Sequence, residues 1–145
     1  MTPPLFVDAL DKAQHPLAKR FYKEAGYKAP VRGHDRVYVL RKGTALLACC
    51  RLVPIAESWL LCSLVVVPER RGQGLGGRFL GLLSPLLATE TAYTFPFRHL
   101  KGWYQECGFV EVAEAPGAIH NKFANYRRQG RDIVMMRFTN EKTPA

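Results

Sequence analysis

The run from Leu60 to Gly77, LLCSLVVVPERRGQGLGG, constrains the fold more than any other part of the chain. Up to Val67 it is apolar and rich in β-branched residues, the composition of a buried strand. Pro68 ends that strand, Arg70 and Arg71 follow, and Gly72, Gly74, Gly76 and Gly77 make a turn whose backbone a ligand can approach closely. Beyond it Leu75, Phe79, Leu82, Leu83 and Leu86 recur at helical spacing. A strand feeding a glycine-rich turn at a helix N-terminus builds an anion site, because the first helical amides lack partners and the macrodipole points the same way. The arginines add charge-assisted hydrogen bonds, so the expected ligand carries phosphate.

Three phosphate-binding patterns compete for this turn. A nucleotide P-loop ends in Gly-Lys-Ser/Thr, the lysine reaching the terminal phosphates and the hydroxyl holding magnesium. The corresponding residues are Gly76-Gly77-Arg78, which excludes it. Gly72, Gly74 and Gly77 have the G-x-G-x-x-G spacing of a dinucleotide fold, but that pattern follows its strand at once and is answered by an acid at the end of the next strand. Here Pro68–Arg71 intervene, and the nearest acid, Glu90, precedes the next strand. The third pattern fits without repair. Val66 to Gly76 spell Val-x-Pro-x-x-Arg-Gly-x-Gly-Leu-Gly. This resembles the acetyl-coenzyme A signature of the GNAT superfamily of N-acetyltransferases, whose core, Arg/Gln-x-x-Gly-x-Gly/Ala, is matched by Arg71, Gly74 and Gly76.

A second segment, Trp103-Tyr104-Gln105-Glu106-Cys107-Gly108-Phe109, resembles the Tyr-x-x-x-Gly-Phe stretch of the same family. Physically it reads as a helix end, with Gly108 as a left-handed cap and Phe109 opening a strand. Tyr22-Lys23-Glu24-Ala25-Gly26-Tyr27 spells nearly the same pattern near the N-terminus. Only position relative to the glycine-rich turn separates the two. Tyr104 follows the turn, in the family's order, so Tyr22 is read as helix surface or core.

The whole chain bounds the rest. Its 145 residues suit one domain, expected over 1–139 with a frayed tail at 140–145. Apolar content of 48% and charged content of 23% describe an ordinary globular protein. No stretch has the length of a membrane span, and the N-terminus lacks the basic-then-apolar pattern of a secretory signal. Cys49, Cys50, Cys62 and Cys107 form no Cys-x-x-Cys pair and no histidine interleaves them, so reduced thiols in a cytoplasmic protein are expected and no metal site. The formal charge of +9 asks for an anionic partner, and a pyrophosphate with a ribose phosphate supplies one. A second basic cluster, Lys122, Arg127, Arg128 and Arg131, reads as a solvated surface.

Along the chain the pattern predicts a first strand within Pro3–Leu10, a helix over Pro16–Ala25 and a loop over Tyr27–Asp35. A hairpin of Arg36–Leu40 with Thr44–Val53 follows, then the long strand and the helix after the turn, which Ser84-Pro85 should kink or restart. A short strand at Ala92–Phe95, a helix over Arg98–Cys107, a strand at Phe109–Val112, a loop and a last strand over Asp132–Phe138 complete the order. The fold class is α/β, and the strands flanking the Leu75 helix should run parallel. The order resembles the single-domain GNAT fold, a mixed, mostly antiparallel sheet flanked by helices, over nearly the whole length. The family usually places two helices between its first two strands, and here there is room for one helix and a loop. That region shapes the family's acceptor pocket.

The resemblance also implies roles. Leu64, Val65 and Val66 match the strand whose backbone pairs with the pantetheine arm and polarises the acetyl carbonyl. Arg71, Gly72, Gln73, Gly74, Leu75, Gly76 and Gly77 match the pyrophosphate loop. Tyr104 matches the tyrosine that often protonates the leaving thiolate; a phenol with a pKa of about 10 keeps its proton at neutral pH, as that task requires. Phe97 stands where the family often has an asparagine. Glu57, Glu90, His34, His99 and His120 qualify as a general base by type alone, and none is assigned. The implied reaction moves an acetyl or other short acyl group from acetyl-CoA to a primary amine, small or on a peptide or protein, by direct attack in a ternary complex. A homodimer stays open, and neither a membrane nor a specific nucleic acid is expected as partner. Two other classes compete: a catalytically silent coenzyme A-binding domain on the same fold, and a basic nucleic-acid module suggested by Phe123-Ala124-Asn125-Tyr126-Arg127-Arg128.

Overall fold

The computed structural model of the protein describes residues 3–140, so of the tail expected at 140–145 only Asn140 falls within it. The elements run β1 (Leu5–Leu10), α1 (His15–Glu24), β2 (Arg36–Lys42), β3 (Ala45–Ile55), β4 (Ser58–Val66), α2 (Leu75–Thr89), β5 (Ala92–Thr94), α3 (Lys101–Glu106), β6 (Phe109–Glu111), α4 (Gly117–Arg128) and β7 (Met136–Phe138). The strands form one sheet in the order β1-β2-β3-β4-β5-β7-β6. β1–β2, β2–β3, β5–β7 and β6–β7 pair antiparallel, and β4–β5 pair parallel on either side of α2 in the sequence. The mixed, mostly antiparallel α/β sheet is therefore the one the pattern predicts.

The chain divides into two compact units. One comprises the residues up to Val53 with Cys62–Leu83. Its core packs Ala18, Phe21 and Tyr22 of α1 on Val37, Val39, Cys49 and Val65 of the sheet. The apolar positions of α1 fall at 18, 21 and 22, and Ala25 at its C-terminal cap continues the stripe against the strands. The other unit comprises Pro54–Leu61 with the residues from Ser84 onward. Its core holds Leu87, Tyr93, Phe109, Ile119, Met135, Met136 and Phe138, with the rings of Phe109 and Phe138 5.3 Å apart and edge to face.

The structure corrects the sequence reading in three places. The stretch expected as a loop before the last strand contains α4, entered at Pro116 and closed by Gly130 at φ +89°. Ile119, Phe123 and Tyr126 lie at i, i+4 and i+7; Ile119 is fully buried, and the other two pack on Phe95 with ring centroids 5.3 and 6.2 Å away. A single apolar stripe among basic residues makes the helix. Second, of the two outcomes expected at Ser84-Pro85 the restart does not occur: α2 runs through Pro85 as one helix of 15 residues, with the proline on its exposed side. The lost ladder bond is outweighed by the burial of Phe79, Leu80, Leu83 and Leu87 along the opposite stripe. Third, the last strand begins at Met136 rather than Asp132; ahead of it only Ile133 bridges, to Phe97.

Candidate functional site

The turn after β4 is built by torsion angles rather than by packing. Val67 N–H donates to the Leu47 carbonyl (2.8 Å), fixing where the strand ends, and Pro68–Arg70 form one 3-10 turn. Arg71 is extended, and its Nε donates back to the Val66 carbonyl (3.2 Å). Gly72 and Gly74 then take φ of +80° and +74°, a region that L side chains rarely adopt. A Cβ added at either glycine would meet no atom within 4 Å, so space beside the backbone is open there. α2 starts at Leu75; Arg78 N–H closes the first turn on the Gly74 carbonyl (3.1 Å), and that turn holds no acidic residue. Arg71 to Gly74 are exposed, while Leu75 is buried and anchors the helix start.

An anion fits this arrangement. The leading amides of α2 and the macrodipole are available to it. Arg70 Nε is buried without a hydrogen-bond partner, although the residue as a whole is only half-buried. Burying part of a guanidinium unpaired is costly, and a bound anion against its outer nitrogens would offset that cost.

Leu64, Val65 and Val66 form the last stretch of β4 in the same unit as the turn. The parallel register is Trp59↔Ala92, Leu60↔Tyr93 and Leu61↔Thr94, and β5 ends at Thr94 while β4 continues to Val66. Two residues beyond the last one paired with β5 stands Ser63 with φ +57°, a left-handed residue inside a strand. Such a conformation costs a non-glycine residue about 1–3 kcal/mol and breaks the alternation of the strand, as a bulge does.

Tyr22, buried in the core, and two residues that the sequence reading passed over, Arg51 and Asp35, surround that kink. The Tyr22 hydroxyl donates to the Ser63 carbonyl (2.7 Å). Arg51 Nε and Nη2 both donate to Ser63 Oγ (3.2 and 3.1 Å). Arg51 Nη1 donates to Asp35 Oδ2 (2.8 Å) and to the Pro30 carbonyl (3.2 Å), and Arg32 N–H donates to the same carboxylate oxygen (3.0 Å). The ion pair is sealed, with side-chain exposures of 6% for Arg51 and 1% for Asp35. Burial, and then Cys49 beside it, pushes the Tyr22 phenol far above its ordinary 10.0, so the hydroxyl keeps the proton that it donates to the Ser63 carbonyl. Burial likewise pushes the Cys49 thiol up to about 11. The one sequence signal was an arginine set between Cys50 and Leu52 in an otherwise apolar strand.

Tyr104 stands in the other unit, near the end of α3. It is half-buried, its ring edge-on to Trp103 (4.9 Å, 84°) and to Phe109 (5.6 Å, 81°). Gly108 follows with φ +101°, and its carbonyl accepts from Thr139 N–H (2.9 Å) and Asn140 N–H (3.1 Å). Phe97 is exposed and stacks on His99 at 6.0 Å, and Glu57, His34 and His120 are exposed.

Against this geometry the comparisons are decisive for family. The model of the acetyltransferase (GNAT) domain matches residues 33–111, more than half of the chain, and takes in the kink, the turn and Tyr104. The chain belongs to the GNAT family. Acetyl-CoA is the usual cosubstrate of GNAT enzymes. Solved GNAT structures share the fold at low identity. The ribosomal-protein-S18-alanine N-acetyltransferase from Escherichia coli is 16% identical, with a TM-score of 0.65, over 97% of this chain and 96% of that one. An acyl-CoA N-acyltransferase from Pseudomonas aeruginosa is 19% identical, with a TM-score of 0.62, over 94% of this chain and 100% of the other. N-acetylglutamate synthase from Neisseria gonorrhoeae, solved with coenzyme A and L-arginine, is 17% identical with a TM-score of 0.63; 92% of this chain is covered and 33% of that one. A search of curated protein sequences finds no significant match. Among the described residues no helix is long and apolar enough to cross a membrane, and no group of three His, Cys, Asp or Glu could hold a metal ion.

Proposed function

We propose that this GNAT protein transfers an acetyl, or another short acyl, group from acetyl-CoA to a primary amine by direct attack in a ternary complex, its acetyltransferase domain spanning 1–139. The observation that carries the reading is the turn itself: two left-handed glycines with open space beside them, a helix start without acids and an unpaired buried arginine nitrogen in the residue before Arg71. Gly72 to Gly77 would hold the pyrophosphate through backbone N–H groups, with Arg71 and Arg70 neutralising its charge. Leu64, Val65 and Val66, on the stretch of β4 beyond the end of β5, would present backbone donors to the pantetheine and to the acetyl carbonyl. Fixed donors of that kind favour the charge that develops on the oxygen as the amine attacks. Tyr104 would hold the proton that the leaving thiolate takes up.

The acceptor is an amine, free or on a polypeptide. Among proteins of similar fold one acts on a ribosomal-protein alanine and one makes N-acetylglutamate, so the fold serves both sizes. A basic chain of charge +9 suits an acceptor with acidic neighbours in a cytoplasmic setting. The nucleic-acid reading loses its main support, because Phe123 and Tyr126 pack on Phe95, and Arg131 and Lys122 lie over the Tyr126 ring (4.0 and 5.2 Å), leaving no open stacking platform there.

Thiol release from acetyl-CoA, measured against a panel of amino acids, polyamines, aminoglycosides and peptide N-termini, tests the proposal. Amine-dependent release by at least one class supports it. Acetyl-CoA binding without release from any class supports the silent coenzyme A-binding domain instead.

A further inference from the structure

We propose that Arg51, Asp35 and Tyr22 are positioning residues: they hold Ser63 left-handed and thereby aim the β4 backbone from Leu64 to Val66 at the acyl group. The inference rests on the reading that those amides face the thioester, and it adds the side chains that hold them in place.

Three features point to position rather than plain stability. The contacts converge on one residue. Both hydrogen-bonding atoms of Ser63 that face the core are held, Oγ by two nitrogens of Arg51 and the carbonyl by the Tyr22 hydroxyl. That residue is also the only one in β4 with a positive φ, and it directly precedes the three amides. Finally, the clamp is made from a sealed ion pair, a combination that apolar residues of similar volume commonly match or better for stability alone. What an ion pair adds is direction. Arg51 is tethered from behind by Asp35 and the Pro30 carbonyl, so its guanidinium plane, and with it the two bonds to Ser63, has one orientation. Glycine would adopt the same torsion unaided; with serine, the kink exists because the clamp does.

Ser63→Ala and Ser63→Gly separate torsion from clamp. Alanine keeps the strain and loses the Arg51 bonds; glycine loses the bonds and the strain together. At a temperature well below either melting point, Ser63→Ala should turn over at least tenfold more slowly, with the acetyl-CoA Kd within threefold of wild type, because the turn at Gly72–Gly77 supplies most of the affinity. Ser63→Gly should keep turnover within about threefold, and amide hydrogen exchange at Leu64–Val66, followed by NMR in the ligand-free protein, should accelerate in the alanine variant more than in the glycine one. Turnover of Ser63→Ala equal to wild type, or Ser63→Gly as slow as Ser63→Ala, overturns the proposal. Should the wild-type protein itself acetylate nothing, the acetyltransferase reading has failed separately. The proposal then stands or falls on the exchange measurement, and unchanged exchange at Leu64–Val66 in Ser63→Ala overturns it.

Discussion

The molecule contains the same short pattern twice, and the two copies end up in different surroundings. Tyr22–Tyr27 and Tyr104–Phe109 each close a helix with a glycine at positive φ, +74° at Gly26 and +101° at Gly108. At the first, Tyr27 N–H reaches back to the Tyr22 carbonyl (2.9 Å), a helix end satisfied entirely by its own backbone. Tyr22 is 1% exposed and its hydroxyl is committed to Ser63. At the second, the glycine carbonyl is held by the segment after β7 and the tyrosine is only half-buried between Trp103 and Phe109. Local sequence sets how a helix ends. Where the helix lies in the fold decides whether the tyrosine at its end is sealed against Ser63, as Tyr22 is, or half-buried between two rings, as Tyr104 is.

The glycines offer the largest way to break this comparison. A Cβ at Gly108 would stand 3.0 Å from the Phe138 ring and 3.3 Å from the Asn140 Cα, whereas one at Gly26 would meet nothing within 4 Å. Gly108→Ala carries both torsional strain and a clash, and should cost about 3 kcal/mol or more; Gly26→Ala carries strain alone, about 1 kcal/mol. Urea denaturation of the two variants checks the gap, and equal losses would mean that the second helix end is no more constrained than the first.

The tyrosines come next. Tyr104→Phe should leave the acetyl-CoA Kd nearly unchanged and slow turnover about a hundredfold, the usual loss for a positioned general acid. Tyr22→Phe should give a smaller, mixed effect: about 1–2 kcal/mol of stability from the orphaned Ser63 carbonyl, and about a tenfold fall in turnover through β4. Thermal melts and steady-state rates on both proteins read this directly. A greater rate loss at Tyr22 than at Tyr104 would exchange the two roles.

The smallest effect concerns the surroundings of Tyr22. Cys49 is pushed from the ordinary 9.0 to about 11 by burial, so the folded state keeps its thiol protonated where the unfolded chain would release it. The stabilising balance is intact below about pH 9 and declines as pH rises towards about 11. Cys49→Ala should flatten that decline in a pH series of melting temperatures, and an unchanged slope would put the alkaline sensitivity elsewhere.

Legibility followed the range of the interactions. The strand, turn and helix from Leu60 onward could be read because every determinant lies within one continuous run. The parallel pairing of β4 with β5 followed from the helix between them. α4 stayed hidden because Ile119, Phe123 and Tyr126 are few among polar and basic neighbours, and their value depends on Phe95, which is distant in sequence. The run before Met136 shows the same dependence: its backbone bonds to Pro96, Arg98 and Val112, all distant in sequence, and Ile133 alone forms a bridge. Ser63 and its clamp were the least visible part. Arg51, Asp35 and Tyr22 meet across separations of 12, 16 and 41 residues, and nothing in the local pattern of any of them announces the others.

The central claim is that the turn after β4 is the coenzyme A site, and Gly74→Asn tests it most directly. Asparagine tolerates a φ of +74° better than other side chains, and the space beside Gly74 is open, so the fold should survive with a melting temperature close to wild type. The new side chain would occupy the opening that the phosphates need. Calorimetric titration with acetyl-CoA should then show affinity falling at least tenfold. Wild-type affinity in the folded variant would contradict the account.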